Sequence, residues 1–344
     1  MVAGGQRPPR WCDFRIRTVA AAAALVCWAA PAPAELPDAA TLLADFGLSP
    51  AEITEVEAGN LVTLSLEAAS DRELVVGLAF ATPVPPSELV KNIRTALLDQ
   101  VDPNMIAHVV VSGAGSAADF AALTLQPDAA KRAQAYVGAE PGGDLNLSAA
   151  EIAAFQKLGS GATPAVVEGQ VRAALLARLQ EYQSKGLAGI APYALGGGKS
   201  RSPADELTTA IKGSARLQKY APAAYQLLLS YPAGKPPGTG ESFRWTHFQA
   251  HGTPTLALTH VMLIPDGEGW IVSHRQFYAS TGYNAEQAVA AFLPSKGGTV
   301  VVYGNRTSTD QVAGFGGGAK RSIGSKLLAS QLETLFERGR KKIE

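Results

Sequence analysis

Two periodicities of hydrophobic and polar positions divide the chain into strand-forming and helical parts. Runs rich in β-branched and aromatic residues at the strand period of two fall within residues 61–112 and 243–308. Between them, from about residue 117 to 231, apolar positions recur at the helical spacing of three and four. The predicted order is therefore strands, a mainly helical block, and then more strands.

The first strand-forming part predicts two short strands, a helix and a third strand. Residues 61–68 and 73–82 fit the first two strands, and a proline cluster ends the second. Pro86 suits the first turn of a helix that continues to about Gln100. Residues 105–112 then fit another strand.

The second strand-forming part predicts four strands and a long closing helix. The strands are 243–250, 255–264, 270–280 and 299–308, with a hairpin turn at 265–269 and a short helix at 284–292. The final helix, about 319–342, has a narrow polar stripe and a broad apolar remainder, so it should lie on a sheet. We therefore predict an α+β fold: an antiparallel curved sheet with a long C-terminal helix packed on it.

The N-terminal 34 residues have the layout of a secretory signal peptide. Four arginines precede an apolar stretch from Thr18 to Ala30, and Ala32 and Ala34 offer the small residues of a cleavage site. The apolar stretch is too short for a spanning helix, and no later segment approaches that length. We predict export to a bacterial periplasm, or secretion, with cleavage after Ala34. Residues 35–344 would then form one α+β domain, with a helical insertion at about 117–231.

Cleavage would change the charge and the thiol content. The whole chain has 30 basic and 30 acidic residues, but the first 34 residues carry four of the basic ones and one acidic one. The remaining 26 basic and 29 acidic residues make the predicted mature chain mildly acidic. This balance gives no reason to expect nucleic acid as a partner. Both cysteines, Cys12 and Cys27, would leave with the signal.

Candidate chemistry concentrates on the 265–269 hairpin, because four of the five histidines lie between His247 and His274. A symmetric turn would pair His260 with His274, and alternation would then place apolar and polar side chains on one shared face. Such a face is typical of small-molecule pockets. With Tyr303 and Arg306 of the last strand, the candidate ligand-binding residues are Leu258, His260, Met262, His274, Gln276, Tyr278, Tyr303 and Arg306. The alternative is that the histidines are simply hydrogen-bonded members of a sheet.

Arg306 begins the densest polar run, residues 305–311, between the last strand and the final helix. It could hold a carboxylate or phosphate, or it could pair internally with Asp310. The sequence predicts no metal site, because it has no His-Glu-x-x-His motif. It also predicts no cofactor. The glycine-rich loop at 196–200 lacks the first glycine of a phosphate-binding loop, and the loop at 314–319 has no second parallel strand after it.

Several short segments resemble a group of uncharacterised exported bacterial proteins. They are residues 70–74 (SDREL), 119–125 (DFAALTL), 276–280 (QFYAS) and 306–315 (RTSTDQVAGF). This family has no known activity, so the resemblance carries over no catalytic residue. The order of strand, proline-rich turn, helix, antiparallel strands and long C-terminal helix is also similar, more distantly, to the START-like helix-grip fold. That similarity implies a cavity for lipids or other apolar ligands.

Three functional hypotheses follow. The first is a non-catalytic periplasmic protein that binds a lipid-like, apolar or amphipathic molecule between its C-terminal sheet and final helix. The second is an envelope enzyme with His260 and His274 as an acid–base pair and Arg306 as an anion clamp. It requires both histidines to reach one open pocket. The third is an envelope interaction protein, which would have a closed core and a large exposed apolar patch.

Overall fold

The computed structural model describes residues 1, 35–250, 252–314 and 316–344. The predicted signal peptide and its cleavage after Ala34 lie outside these residues apart from Met1, so both stay predictions. His251 and Phe315 also lie outside them. Within the described part of the chain, no helix is both long enough and apolar enough to cross a membrane.

Eight strands form one antiparallel sheet, and two further strands form a small hairpin. In chain order the strands are β1 (Val62–Leu64), β2 (Glu73–Thr82), β3 (Met105–Val111), β4 (Tyr193–Leu195), β5 (Lys199–Arg201), β6 (Gly240–Ala250), β7 (Thr253–Asp266), β8 (Gly269–Ala279), β9 (Ala285–Ser295) and β10 (Gly298–Ser308). The order across the sheet is β1-β2-β10-β9-β8-β7-β6-β3, and β4 pairs with β5. The first long strand thus lies beside the last one, so both strand-forming parts of the sequence build the same sheet.

The helices fall before, between and after these strands. They are α1 (Ala39–Asp45), α2 (Pro50–Glu57), α3 (Pro86–Arg94), α4 (Leu97–Val101), α5 (Ala129–Val137), α6 (Ala149–Gln156), α7 (Pro164–Lys185), α8 (Pro203–Lys212), α9 (Ala215–Tyr220), α10 (Pro222–Ser230) and α11 (Gly317–Ile343). The α+β class predicted from the sequence is confirmed. The START-like resemblance stays a prediction.

One face of the sheet, which we call the insertion face, packs against the helical insertion and the N-terminal helices. Tyr182 of α7 stacks on Phe277 of β8 with ring centroids 4.0 Å apart. Side chains from α1, α2, α5 to α8 and α10 join the same buried cluster as alternate residues of β6 to β10. This is the larger of the two buried apolar clusters, and its burial stabilises the fold.

The opposite face, which we call the α11 face, carries a smaller cluster with α3 and α11. Phe80, Val261, Val272 and Phe292 of the sheet lie there with Leu89 of α3. Parts of the central strands are therefore buried on both faces, and runs such as 261–264 of β7 and 300–302 of β10 are continuously apolar.

Helix α11 contacts the sheet mainly along β2. Phe336 packs on Phe80 with ring centroids 5.6 Å apart, and Ser325 accepts a hydrogen bond from the Val75 N–H at 3.2 Å. Ile323 and Leu327, in contrast, are 62% and 55% exposed. The sequence predicts that the apolar side of this helix lies on the sheet, but much of that side does not contact the sheet.

The predicted short helix at 284–292 is wrong, because this segment is strand β9 between β8 and β10. Its alanine, glutamate and glutamine residues favour helices locally. Hydrogen bonding to two neighbouring strands decides the outcome, which shows tertiary context overriding propensity.

Candidate functional site

The hairpin between β7 and β8 is tighter than the symmetric turn predicted from the sequence. Asp266 pairs with Gly269, which leaves a two-residue loop whose Gly267 has φ +55°. The register therefore shifts by one residue: His260 lies opposite Arg275, and His274 lies opposite Val261. Since a one-residue shift exchanges the two faces of a strand, the predicted pairing of His260 with His274 is wrong.

This register divides the candidate ligand-binding residues between the two faces. Three of them line a cavity on the α11 face: His274, Gln276 and Tyr303. The other five are buried on the insertion face or at its edge: Leu258, His260, Met262, Tyr278 and Arg306. The structure thus brings together only part of the predicted set.

On the insertion face, His260 belongs to a buried hydrogen-bond network. Tyr182 donates its hydroxyl proton to His260 Nδ1 at 3.0 Å, because the ring proton on Nε2 faces Glu241 and leaves Nδ1 as an acceptor. The same hydroxyl accepts a bond from Arg275 at 3.1 Å. His260 Nε2 donates to Glu241 at 3.2 Å. Burial lowers the pKa of His260 to about 4, although the Glu241 carboxylate opposes this shift. Because both ring nitrogens of the neutral imidazole are hydrogen-bonded within the protein, His260 has a structural role.

Arg306 is likewise buried, and its side chain forms several hydrogen bonds within the protein. Its guanidinium donates to the Glu73 carboxylate at 2.7 Å and to the Glu67 and Gly213 carbonyls at 3.1 Å each. The side chain is 8% exposed. It therefore ties the sheet to the loop after α8 and has no open side toward the cavity. The predicted internal pair with Asp310 does not form, because Asp310 bonds to Arg72 at 2.9 Å.

A cavity of about 1520 Å³ lies between the α11 face and helices α3, α4 and α11. It is larger than the 300–1,000 Å³ or so of typical small-molecule pockets. The two exposed apolar side chains of α11, Ile323 and Leu327, line it, together with Ala288 and Ala290 of β9. The alanines are small, which leaves room between the sheet and the helix.

Cross-strand neighbours on the α11 face form rows whose polarity changes along the strands. Two successive rows are apolar apart from one phenol: Phe80, Val301 and Phe292, followed by Tyr303, Ala290, Val272 and Leu263. Apart from their β2 members Val76 and Leu74, the next two rows are increasingly polar: Asn305, Ala288, His274 and Val261, followed by Thr307, Glu286, Gln276 and Thr259. The cavity therefore has an apolar end and a polar end.

Glu286 is the central charged group of the polar end. Its side chain is 16% exposed, and it shares the single Thr307 hydroxyl proton, at 3.2 Å, with Asn305 Oδ1, which lies closer at 2.8 Å. His274 Nδ1 lies 3.7 Å from its carboxylate, which is too long for a hydrogen bond. Tyr283 donates its hydroxyl proton to Gln276. Burial raises the pKa of both Tyr283 and Tyr303, and the charge of Glu286 raises both further.

A buried ion pair supports one wall of the cavity. Arg244 of β6 donates to Asp99 of α4 at 2.6 Å, and their side chains are 4% and 12% exposed. Arg244 also donates to the Ile93 carbonyl at 3.2 Å. This pair fixes the α3–α4 segment over the sheet.

Sequence reasoning missed Glu286, Ala288 and Ala290, because it assigned their segment to a helix. Residues 286–292 (EQAVAAF) show no alternation of apolar and polar positions, so no local signal identifies them as a strand. Arg244 and Asp99 are far apart in sequence, and no local pattern predicts their pairing.

Among the described residues, no group of three histidine, cysteine, aspartate or glutamate side chains is placed to hold a metal ion. No protein-family model, curated protein or solved structure gives a significant match to this chain. The cavity is therefore the main structural indication of function.

Proposed function

We propose that this protein binds an amphipathic small molecule in the cavity between the α11 face of the sheet and helix α11. The observation that carries the proposal is the polarity gradient of the cavity wall. Apolar rows at one end suit a hydrocarbon chain, and the rows around His274 and Glu286 suit a polar group.

The exposed apolar side chains of α11 support the same proposal. Ile323 and Leu327 are more than half exposed, although they line a cavity beside an apolar sheet. Exposed apolar surface favours burial by about 25 cal/mol per Å². Gly324 of the same helix turn faces Leu74, in the row of Glu286, so the part of a bound hydrocarbon next to its polar group would provide that burial.

The predicted export signal and the START-like similarity are both compatible with an amphipathic ligand. A periplasmic or secreted protein meets lipids and other amphipathic molecules of the cell envelope. The similarity implies a lipid-like ligand in the same position, between the sheet and the terminal helix. Both arguments support the proposal independently of the cavity.

Native mass spectrometry of the purified protein after incubation with a total lipid extract tests the proposal. The wild-type protein should retain adducts of defined mass. Ala290→Trp should reduce them strongly, because it places a large side chain in the cavity. Ala135→Trp, on the exposed part of α5, is the matched control and should retain them. Ligand-free wild-type protein in every preparation would refute the proposal.

The two alternative functions receive less support from the geometry. His260 and Arg306 are engaged away from the cavity that His274 lines, so the predicted acid–base pair and anion clamp do not share one site. An enzyme would have to rely on His274 and Glu286 instead. A binding protein without a small-molecule site would have a closed core, whereas a large cavity lies beside α11.

A further inference from the structure

We infer that the polar group of the ligand is cationic, a protonated amine, and that Glu286 is its partner. This inference rests on the proposed function and specifies the ligand class. It follows from the number of acidic and basic side chains that the cavity wall presents and from their existing partners.

The carboxylate of Glu286 has unused capacity to accept hydrogen bonds. An ionised carboxylate offers about four acceptor positions. Thr307 occupies at most one, and His274 is too distant to occupy another. Among the described residues, no lysine or arginine nitrogen lies within 4.0 Å of Glu286. A largely buried carboxylate without a cationic partner is costly, and a ligand cation would supply that partner.

The other charged groups of the wall do not balance Glu286. Asp99 and Asp310 already have arginine partners, and Arg340 pairs with Glu344 at 3.0 Å. Asp102 and Asp144 also line the cavity. Lys320 is the remaining basic residue of the described wall. The wall is therefore net acidic, and a carboxylate or phosphate headgroup would be repelled at the polar end.

Displacement of a neutral fluorescent probe, N-phenyl-1-naphthylamine, tests this inference on the full chain. The competitors are decylamine, decanol and decanoate, which share one chain length and differ in charge at neutral pH. Decylamine should bind the wild-type protein about tenfold more tightly than decanol, the advantage of a charge-assisted hydrogen bond in a partly buried site. Decanoate should bind most weakly.

Glu286→Gln should remove the advantage of decylamine over decanol and leave decanol binding unchanged. Glu337→Gln, on the exposed side of α11, is the matched control and should keep the wild-type order. Equal or tighter binding of decanoate to the wild-type protein would overturn the inference, and this comparison needs no variant. An amine advantage that survives Glu286→Gln would also overturn it. Failure of the probe and all three competitors to bind would instead overturn the proposed function.

Discussion

The buried His260 should make the contact between the sheet and the helical insertion sensitive to acid. The residue is fully buried, and its two ring nitrogens bond to Tyr182 and Glu241. This arrangement requires the neutral imidazole with its proton on Nε2. Protonation would place a charge in an apolar environment and would turn the Nδ1 acceptor into a donor facing the Tyr182 hydroxyl.

The size and sign of the effect follow from the pKa of His260, which burial lowers from 6.5 to about 4. In the unfolded chain the histidine takes up a proton near pH 6.5, whereas the folded protein resists protonation down to about pH 4. The stabilisation is therefore complete above pH 6.5 and is lost as the pH falls toward 4. At 1.36 kcal/mol for each pKa unit, it amounts to about 3 kcal/mol.

Urea unfolding of the wild-type protein and of His260→Gln across this pH range measures the effect. The wild-type protein should be more stable near neutral pH, and its lead should shrink by about 2 to 3 kcal/mol on acidification to about pH 4.5. His247, whose pKa burial also lowers to about 4, remains in both proteins, so its contribution cancels. Lys131→Gln, on the exposed side of α5, is the control for an ordinary surface substitution. A lead that does not change with pH would refute the reasoning.

Three further substitutions test the packing, each by urea unfolding. Arg275→Met should cost about 3 to 5 kcal/mol, because it leaves several buried hydrogen-bond acceptors without a donor; a loss below about 1 kcal/mol would contradict this. Asp99→Asn should cost a similar amount by leaving Arg244 buried without its anion, and Asp102→Asn, beside it, should cost far less. Gly186→Ala should cost at least about 2 kcal/mol, because its Cβ would lie 1.7 Å from the Tyr231 carbonyl oxygen at φ +59°; unchanged stability would show that the backbone moves easily.

Local sequence signals predicted most strands and the last helix, because those elements have strong periodicity. The closing helix was predicted at about 319–342 and extends over Gly317–Ile343. The failure at β9 has a clear cause, since alanine-rich segments carry little strand preference of their own. Only the pairing of β9 with β8 and β10, which is not visible locally, makes it a strand.

The site was harder to predict than the fold, since it depends on register. The tight turn at Gly267 shifts β8 by one residue against β7, which sends His274 to the cavity and His260 to the core. A sequence pattern can identify a hairpin, but a one-residue difference in loop length moves every side chain of one strand to the opposite face of the sheet. The distance between α11 and the sheet also has no local signal, because it depends on the contacts of α11 with β2 and α4.

Photo-crosslinking would show directly where the ligand lies in the protein. An alkylamine with a diazirine near the end of its chain would be bound to the purified protein, irradiated and located by peptide mass spectrometry. We predict saturable labelling at the apolar end of the cavity, on α11 around Phe336 and on β9 and β10 near Phe292 and Val301, reduced by Ala290→Trp. Labelling confined to the helical insertion, or labelling that does not saturate, would contradict a ligand site between the sheet and α11.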